Sequence, residues 1–210
     1  MIRPALNNVY PKFAGKQQPL MKIWVNNSVR KDLTWAMGHM RASLGVRLLS
    51  SVSWAEEDAD ITIFCGACMD GMGFWYPDRQ QGFYAPVPTG AIRDIIFYYE
   101  ALAVTSALDN IRATGSEYCK VIIFTDSMNT VDIFSSLHCR PEFNPLLRHS
   151  VDISLGSNLD IRVLHIPGEK NEVADAISRH NFDKATSLVP GIHISGIKPP
   201  HFNTLGATKK

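Results

Sequence analysis

The run Lys120-Val121-Ile122-Ile123-Phe124-Thr125 constrains the fold of this chain more than any other feature. An apolar stretch without polar alternation cannot leave one face in water. It predicts a strand covered on both sides, as in a parallel arrangement flanked by helices. The sequence supplies those helices. Residues 93–113 read as a helix that is apolar on nearly every face and therefore buried. Shorter helices are expected over Ser127–Ser136, Pro145–Leu155 and Asn171–His180, with a strand over Leu159–Ile166. Ahead of the buried helix, Ile61–Cys65, Gly73–Tyr76 and Gly82–Val87 read as strands, the first two joined by the turn residues Asp70-Gly71. This order predicts an α/β fold with a mixed five-stranded sheet, its first three strands antiparallel, and helices on both faces.

Outside that core the chain changes character. Val29, Leu33, Met37, Met40 and Leu44 recur every three to four residues, predicting an amphipathic helix, and residues 1–26 suggest a short helix with loops. Residues 1–50 hold eight Lys or Arg and one acid, Asp32; the remainder is net acidic. A basic segment beside an acidic domain suits a phosphate-binding face next to a metal-binding one, although lysines that merely solvate an arm would look the same. After Asp183, Pro190-Gly191, Pro199-Pro200 and the Lys-Lys end read as an extended tail. The expected units are a basic helical connection segment at 1–55, the α/β domain at 56–182 and the tail at 183–210.

Ordinary hydrophobic content (45%) argues against disorder, and no apolar run is long enough to span a membrane. Met1-Ile2-Arg3-Pro4 has no apolar core behind it, so an intracellular place, cytoplasmic or nuclear, is expected. Cys65-x-x-Cys68 lacks a second pair, and only His138-Cys139 could complete a zinc set; reduced packing cysteines are expected.

Three acids draw attention. Glu100 sits inside the buried helix, where an unpaired carboxylate is expensive; Arg93 or Arg112 could satisfy it, or a metal could. Asp126 ends the buried strand, the edge where α/β sheets place ligand sites, yet Asp126 or Ser127 could simply cap the next helix. Asp175, in Asn171-Glu172-Val173-Ala174-Asp175-Ala176-Ile177-Ser178-Arg179, would alone read as a solvated helix residue.

Taken together and in order, these pieces resemble the ribonuclease H domain of retrotransposon reverse transcriptase polyproteins, especially gypsy-like and DIRS-like elements of fungi. The matching parts are Phe64–Tyr76, Tyr99-Glu100-Ala101-Leu102, Phe124-Thr125-Asp126-Ser127 and Ile166-Pro167-Gly168 through Arg179. The basic segment resembles the connection before that domain, and the tail a linker toward a recombinase. The resemblance implies a ribonuclease H-like fold and two-metal hydrolysis of the RNA strand of an RNA–DNA hybrid, with Glu100, Asp126 and Asp175 as catalytic and Mg²⁺-binding residues. Hard oxygen ligands suit Mg²⁺, with Mn²⁺ as an alternative ion.

One position departs from the family. Where it has the first catalytic Asp, bridging both metals, this chain has Gly66. The Mg²⁺ site is then weakened and the expectation is an endonuclease that is weak or inactive. Asp70, in the turn, is the only nearby substitute and is poorly placed for it. Glu169 stands near the position where some relatives carry a histidine, and His165 is expected to pack in its strand. The alternative is a non-catalytic nucleic-acid-binding module or a translated element relic, with Arg30, Lys31, Arg41 and Arg47 among the residues meeting phosphates. Reverse transcriptase and recombinase parts of one polyprotein are the implied protein partners.

Overall fold

A computed structural model describes residues 1–16, 22–42, 54–88, 96–115 and 119–202. In chain order its elements are α1 (Tyr10–Phe13), α2 (Asn27–Ala42), β1 (Ile61–Ala67), β2 (Gly71–Tyr76), β3 (Gln81–Pro86), α3 (Ile96–Ala113), β4 (Cys119–Thr125), α4 (Met128–Ser136), α5 (Asn144–Gly156), β5 (Leu159–His165), α6 (Glu172–Ser178), α7 (Phe182–Leu188) and β6 (His193–Gly196). The sheet order is β5-β4-β1-β2-β3-β6. β1–β3 are antiparallel neighbours, whereas β4 runs parallel to both β1 and β5. The apolar run at 121–124 therefore occupies a parallel strand between two others. Val121, Ile122 and Ile123 are buried.

The expected mixed sheet is present, with a sixth strand. It comes from the segment read as an extended tail: α7 and β6 form there, and β6 pairs parallel with β3 from Gln81↔His193 to Tyr84↔Gly196. Ala185 and Ile192 join Ile177 in a small cluster beneath them. Pro190-Gly191 is the turn between two elements, with Gly191 at φ +88°. Further on, Phe202 packs on the main core.

Alternation assigns the two faces. Ile61, Ile63, Cys65 and Ala67 turn toward α3, whose Leu102, Val104, Leu108 and Ile111 complete the main core. The other face takes α6 on β1–β3, where glycines set the distance. A Cβ on Gly71 would fall 2.5 Å from the Ser178 carbonyl oxygen, and one on Gly73 2.5 Å from Ile177 Cγ2. The helix backbone sits where ordinary side chains would be, so these positions need glycine.

The N-terminal segment is less separate than its composition implied. Asp32, the sole acid in residues 1–50, is buried and accepts hydrogen bonds from Asn8 Nδ2 (2.7 Å), Asn144 Nδ2 (2.8 Å) and the Arg148 guanidinium (3.0 Å). Asn7 Nδ2 also donates to Asn144 Oδ1 at 2.7 Å. These bonds lock α2 and the opening residues onto α5, which is why the buried face of α2 is Val29, Asp32 and Ala36. The periodic residues Leu33, Met37 and Met40 are exposed instead; Leu44 and Gly45 lie outside the described residues. Hydrophobic spacing identified the helix but not its inner face, because a polar lock decides the docking. Among the described residues no helix is long and apolar enough to cross a membrane.

Candidate active site

β1 and β4 are in parallel register with Phe64 opposite Phe124. Gly66 lies two residues further along β1, and Asp126 follows the last residue of β4, both toward the carboxyl end of these parallel strands. Glu100 reaches the same end from α3: Oε1 accepts the Ala67 N–H (3.0 Å) and Oε2 the Thr125 hydroxyl (3.4 Å). Asp175 arrives from the opposite face on α6, whose start is tied to β1 by Asn171 Nδ2 donating to the Cys65 carbonyl at 2.9 Å. The Ile166–Lys170 turn completes the rim. Ile166 N–H bonds the Thr125 carbonyl (3.0 Å), and a Cβ on Gly168 would lie 3.4 Å from Asp126 Oδ2.

Ser127, not Asp126, caps α4, accepting the Thr130 N–H, so Asp126 stays exposed outside the cap. Arg112 pairs with Asp109 rather than Glu100, while Arg93 lies outside the described residues. Glu100 is 6% exposed. Burial chiefly, then the charge of Asp126, push its carboxyl up to about 8 against the Ala67 and Thr125 hydrogen bonds, with Asp175 raising it further. Burial and Glu100 also push the neighbouring Cys65 thiol well up. All four cysteines are free thiols.

Two placements differ from expectation. Asp175, which alone reads as a solvated helix residue, is instead paired: Arg179 Nε donates to its Oδ1 at 2.8 Å. The i,i+4 spacing could have signalled this pair from sequence. His165, expected to pack, ends β5 exposed. Asp70 is exposed in the β1–β2 turn and lines a groove with Arg179. Arg30, Lys31 and Arg41 are exposed on α2; Arg47 lies outside the described residues. Because Asp32 is buried, the exposed charge of α2 around them is positive. Asp32 bonds the first turn of α5, and Phe143 just before that turn packs on Phe97 and Tyr98 at 4.6 and 5.6 Å, at the beginning of α3.

Gly66 is buried against α6. A Cβ there would meet the Ala174 carbonyl carbon at 3.3 Å, its oxygen at 3.4 Å and the Asp175 nitrogen at 3.5 Å. The chemistry of the acids suits Mg²⁺, but their arrangement does not fit a two-ion centre. Gly66 offers no donor, and Arg179 takes one Asp175 oxygen. Among the described residues no three His, Cys, Asp or Glu side chains form a group able to hold a metal ion.

Comparison with known proteins gives the fold. No family model matches the chain, and no curated protein sequence matches it. Among solved structures, a type 1 ribonuclease H from compost, solved in complex with an RNA/DNA hybrid, is 20% identical with a TM-score of 0.50, covering 60% of this chain and 99% of that one. The type 1 ribonuclease H of the halophilic archaeon Halobacterium salinarum is 14% identical with a TM-score of 0.47, over 60% and 98% of the two chains. The chain has a ribonuclease H-like fold.

Proposed function

We propose that this chain is a retroelement-derived ribonuclease H-like domain that binds RNA–DNA hybrids and whose ancestral cleavage of the RNA strand is weak or lost. Gly66 carries this reading. It is the residue that the resemblance sets at the first carboxylate position, it lies two residues beyond the paired Phe64 and Phe124, and α6 lies close against it. Glu100, Asp126 and Asp175 are the residues we assign to the ancestral reaction, with Mg²⁺ as its ion. In this chain they form an acidic end whose charge is partly met by proton uptake at Glu100 and by Arg179 at Asp175.

Binding is assigned to the exposed cations of the N-terminal segment. Arg30, Lys31 and Arg41 lie on the surface, and the sole acid of the first fifty residues is turned inward. Such a surface meets phosphates without regard to sequence, so affinity should fall steeply with salt. The compost relative was solved with an RNA/DNA hybrid, which makes the same ligand the first to test. Reverse transcriptase and recombinase segments of a common polyprotein are the partners this origin suggests, and residues 1–55 would be the connection to the former.

Titrating a labelled hybrid with the full chain at rising salt, beside duplex DNA of the same sequence, tests the reading. Salt-sensitive binding that favours the hybrid supports it. Absence of hybrid binding at low salt overturns it and leaves the relic.

A further inference from the structure

Beside the carboxylates, the β1–β2 turn and the end of α6 enclose a groove of about 420 Å³ lined by Cys68, Asp70, Tyr84, Ser178, Arg179 and His180, among others. The wall formed by α6 is preorganised. Arg179 is held side-on by its Nε bond to Asp175 Oδ1, which leaves the guanidinium Nη amines as unspent donors on a side chain 61% exposed. The hydrogen bond to Asp175 first, then the charge of that carboxylate and of Asp126, raise the affinity of this guanidinium for its proton.

His180 is fixed next to it. Its backbone lies in the left-handed region at φ +58°, with its N–H bonded to the Ile177 carbonyl at 3.0 Å. Its ring packs edge-on against Tyr84 at 4.7 Å and beside Phe182 at 4.3 Å. A left-handed non-glycine residue held by three neighbours marks a direction that the surrounding structure imposes. Cys68 closes the floor, its Sγ donating to the Ser178 carbonyl at 3.2 Å while accepting the Gly71 N–H at 3.3 Å.

We propose that this groove is a metal-independent subsite for one nucleotide of a nucleic-acid strand, with the Arg179 Nη amines on a phosphodiester oxygen and the His180–Tyr84 ring pair against the attached sugar or base. An arginine fixed through Nε offers a planar fork suited to phosphate. Aromatic rings accept the faces of any base. Asp70 repels an anion from the opposite wall and so confines the phosphate to the Arg179 side. Arg179 thereby supplies, next to Asp175, the positive charge that a divalent ion would otherwise bring to a bound strand. The inference rests on the reading of the chain as a nucleic-acid binder.

The test is anisotropy of a short labelled hybrid with the full chain, in EDTA and in Mg²⁺, for the wild type, Arg179→Gln and Arg179→Lys. We expect binding in EDTA, a loss of about fivefold to tenfold in Arg179→Gln, and a salt slope shallower by about one. Arg179→Lys should keep the slope but lose affinity, since it retains the charge without the fork. Thermal midpoints should match, because an exposed i,i+4 pair adds little stability. Wild-type affinity in Arg179→Gln overturns the subsite while leaving hybrid binding intact, as does binding that vanishes in EDTA. A free mononucleotide that competes at concentrations equal to the hybrid overturns the strand assignment. Absence of hybrid binding by the wild type instead removes the functional reading itself.

Discussion

Gly66 and Ala174 meet backbone to backbone: a Cβ on Gly66 would sit 3.3 Å from the Ala174 carbonyl carbon. The close seating of α6 therefore depends on the glycine at position 66. A glycine inside a strand ordinarily loosens it. In the fold it lets a helix close on it, together with Gly71 and Gly73.

Graded glycine substitutions test that seating. Gly66→Ala asks the α6 backbone to yield by a few tenths of an ångström and should cost about 1 kcal/mol, at the low end of overpacking penalties. Gly73→Ala, whose Cβ would lie 2.5 Å from Ile177 Cγ2 and 3.0 Å from the Ser178 nitrogen, should cost distinctly more. Urea unfolding of both variants decides it; equal midpoints would mean that α6 is not seated as described.

Asp32→Ala should be severely destabilising. It strands the Arg148 guanidinium and the amides of Asn8 and Asn144. Removing one member of a buried pair costs about 3 kcal/mol or more. Release of α2 would be read as faster amide hydrogen exchange over 27–42, and a variant as stable as wild type would refute the lock.

Stability should fall with pH because of Glu100. Its folded carboxyl is pushed up to about 8, above the ordinary value near 4.5. The protonated form is thus favoured in the native state, and the stabilisation it gives is complete below pH 4.5 and lost as pH rises toward 8. Glu100→Gln should match the wild type near pH 4 and exceed it above pH 8 in thermal midpoint. The opposite order at high pH would show that Glu100 is stabilised as an anion.

Reversing the α2 charges tests the binding surface. Arg30→Glu with Lys31→Glu should weaken hybrid binding and lower the salt slope by about two, one for each lost phosphate contact. An unchanged slope would place the hybrid elsewhere.

Much of this molecule was legible beforehand. The run at 121–124 specified a covered parallel strand because an unbroken apolar strand has no other environment, and the helix around Glu100 was recognisable for the same reason. The docking of α2 was not, because its buried face is decided by Asp32 and its distant partners on α5, which no periodicity records. Strand β6 was hidden by its short length and by the flanking Pro190-Gly191 and Pro199-Pro200, which read as extended chain. Around the candidate site, the strand end at Asp126 and the helix around Glu100 were marked by hydrophobic context. The i,i+4 spacing of Asp175 and Arg179 marked their pair, but the groove beside it needed α6 to be placed against the β1–β2 turn.

The central claim is that Gly66 disables an otherwise recognisable hydrolytic end. Its most direct test is the rate of cleavage of an RNA-labelled hybrid in Mg²⁺, and separately in Mn²⁺, by the wild type and by Gly66→Asp. The account predicts little or no cleavage by the wild type and a rise of at least about tenfold in the variant, equivalent to roughly 1.4 kcal/mol of transition-state stabilisation. Wild-type cleavage as fast as that of the variant would contradict it, since a donor other than residue 66 would then complete the site.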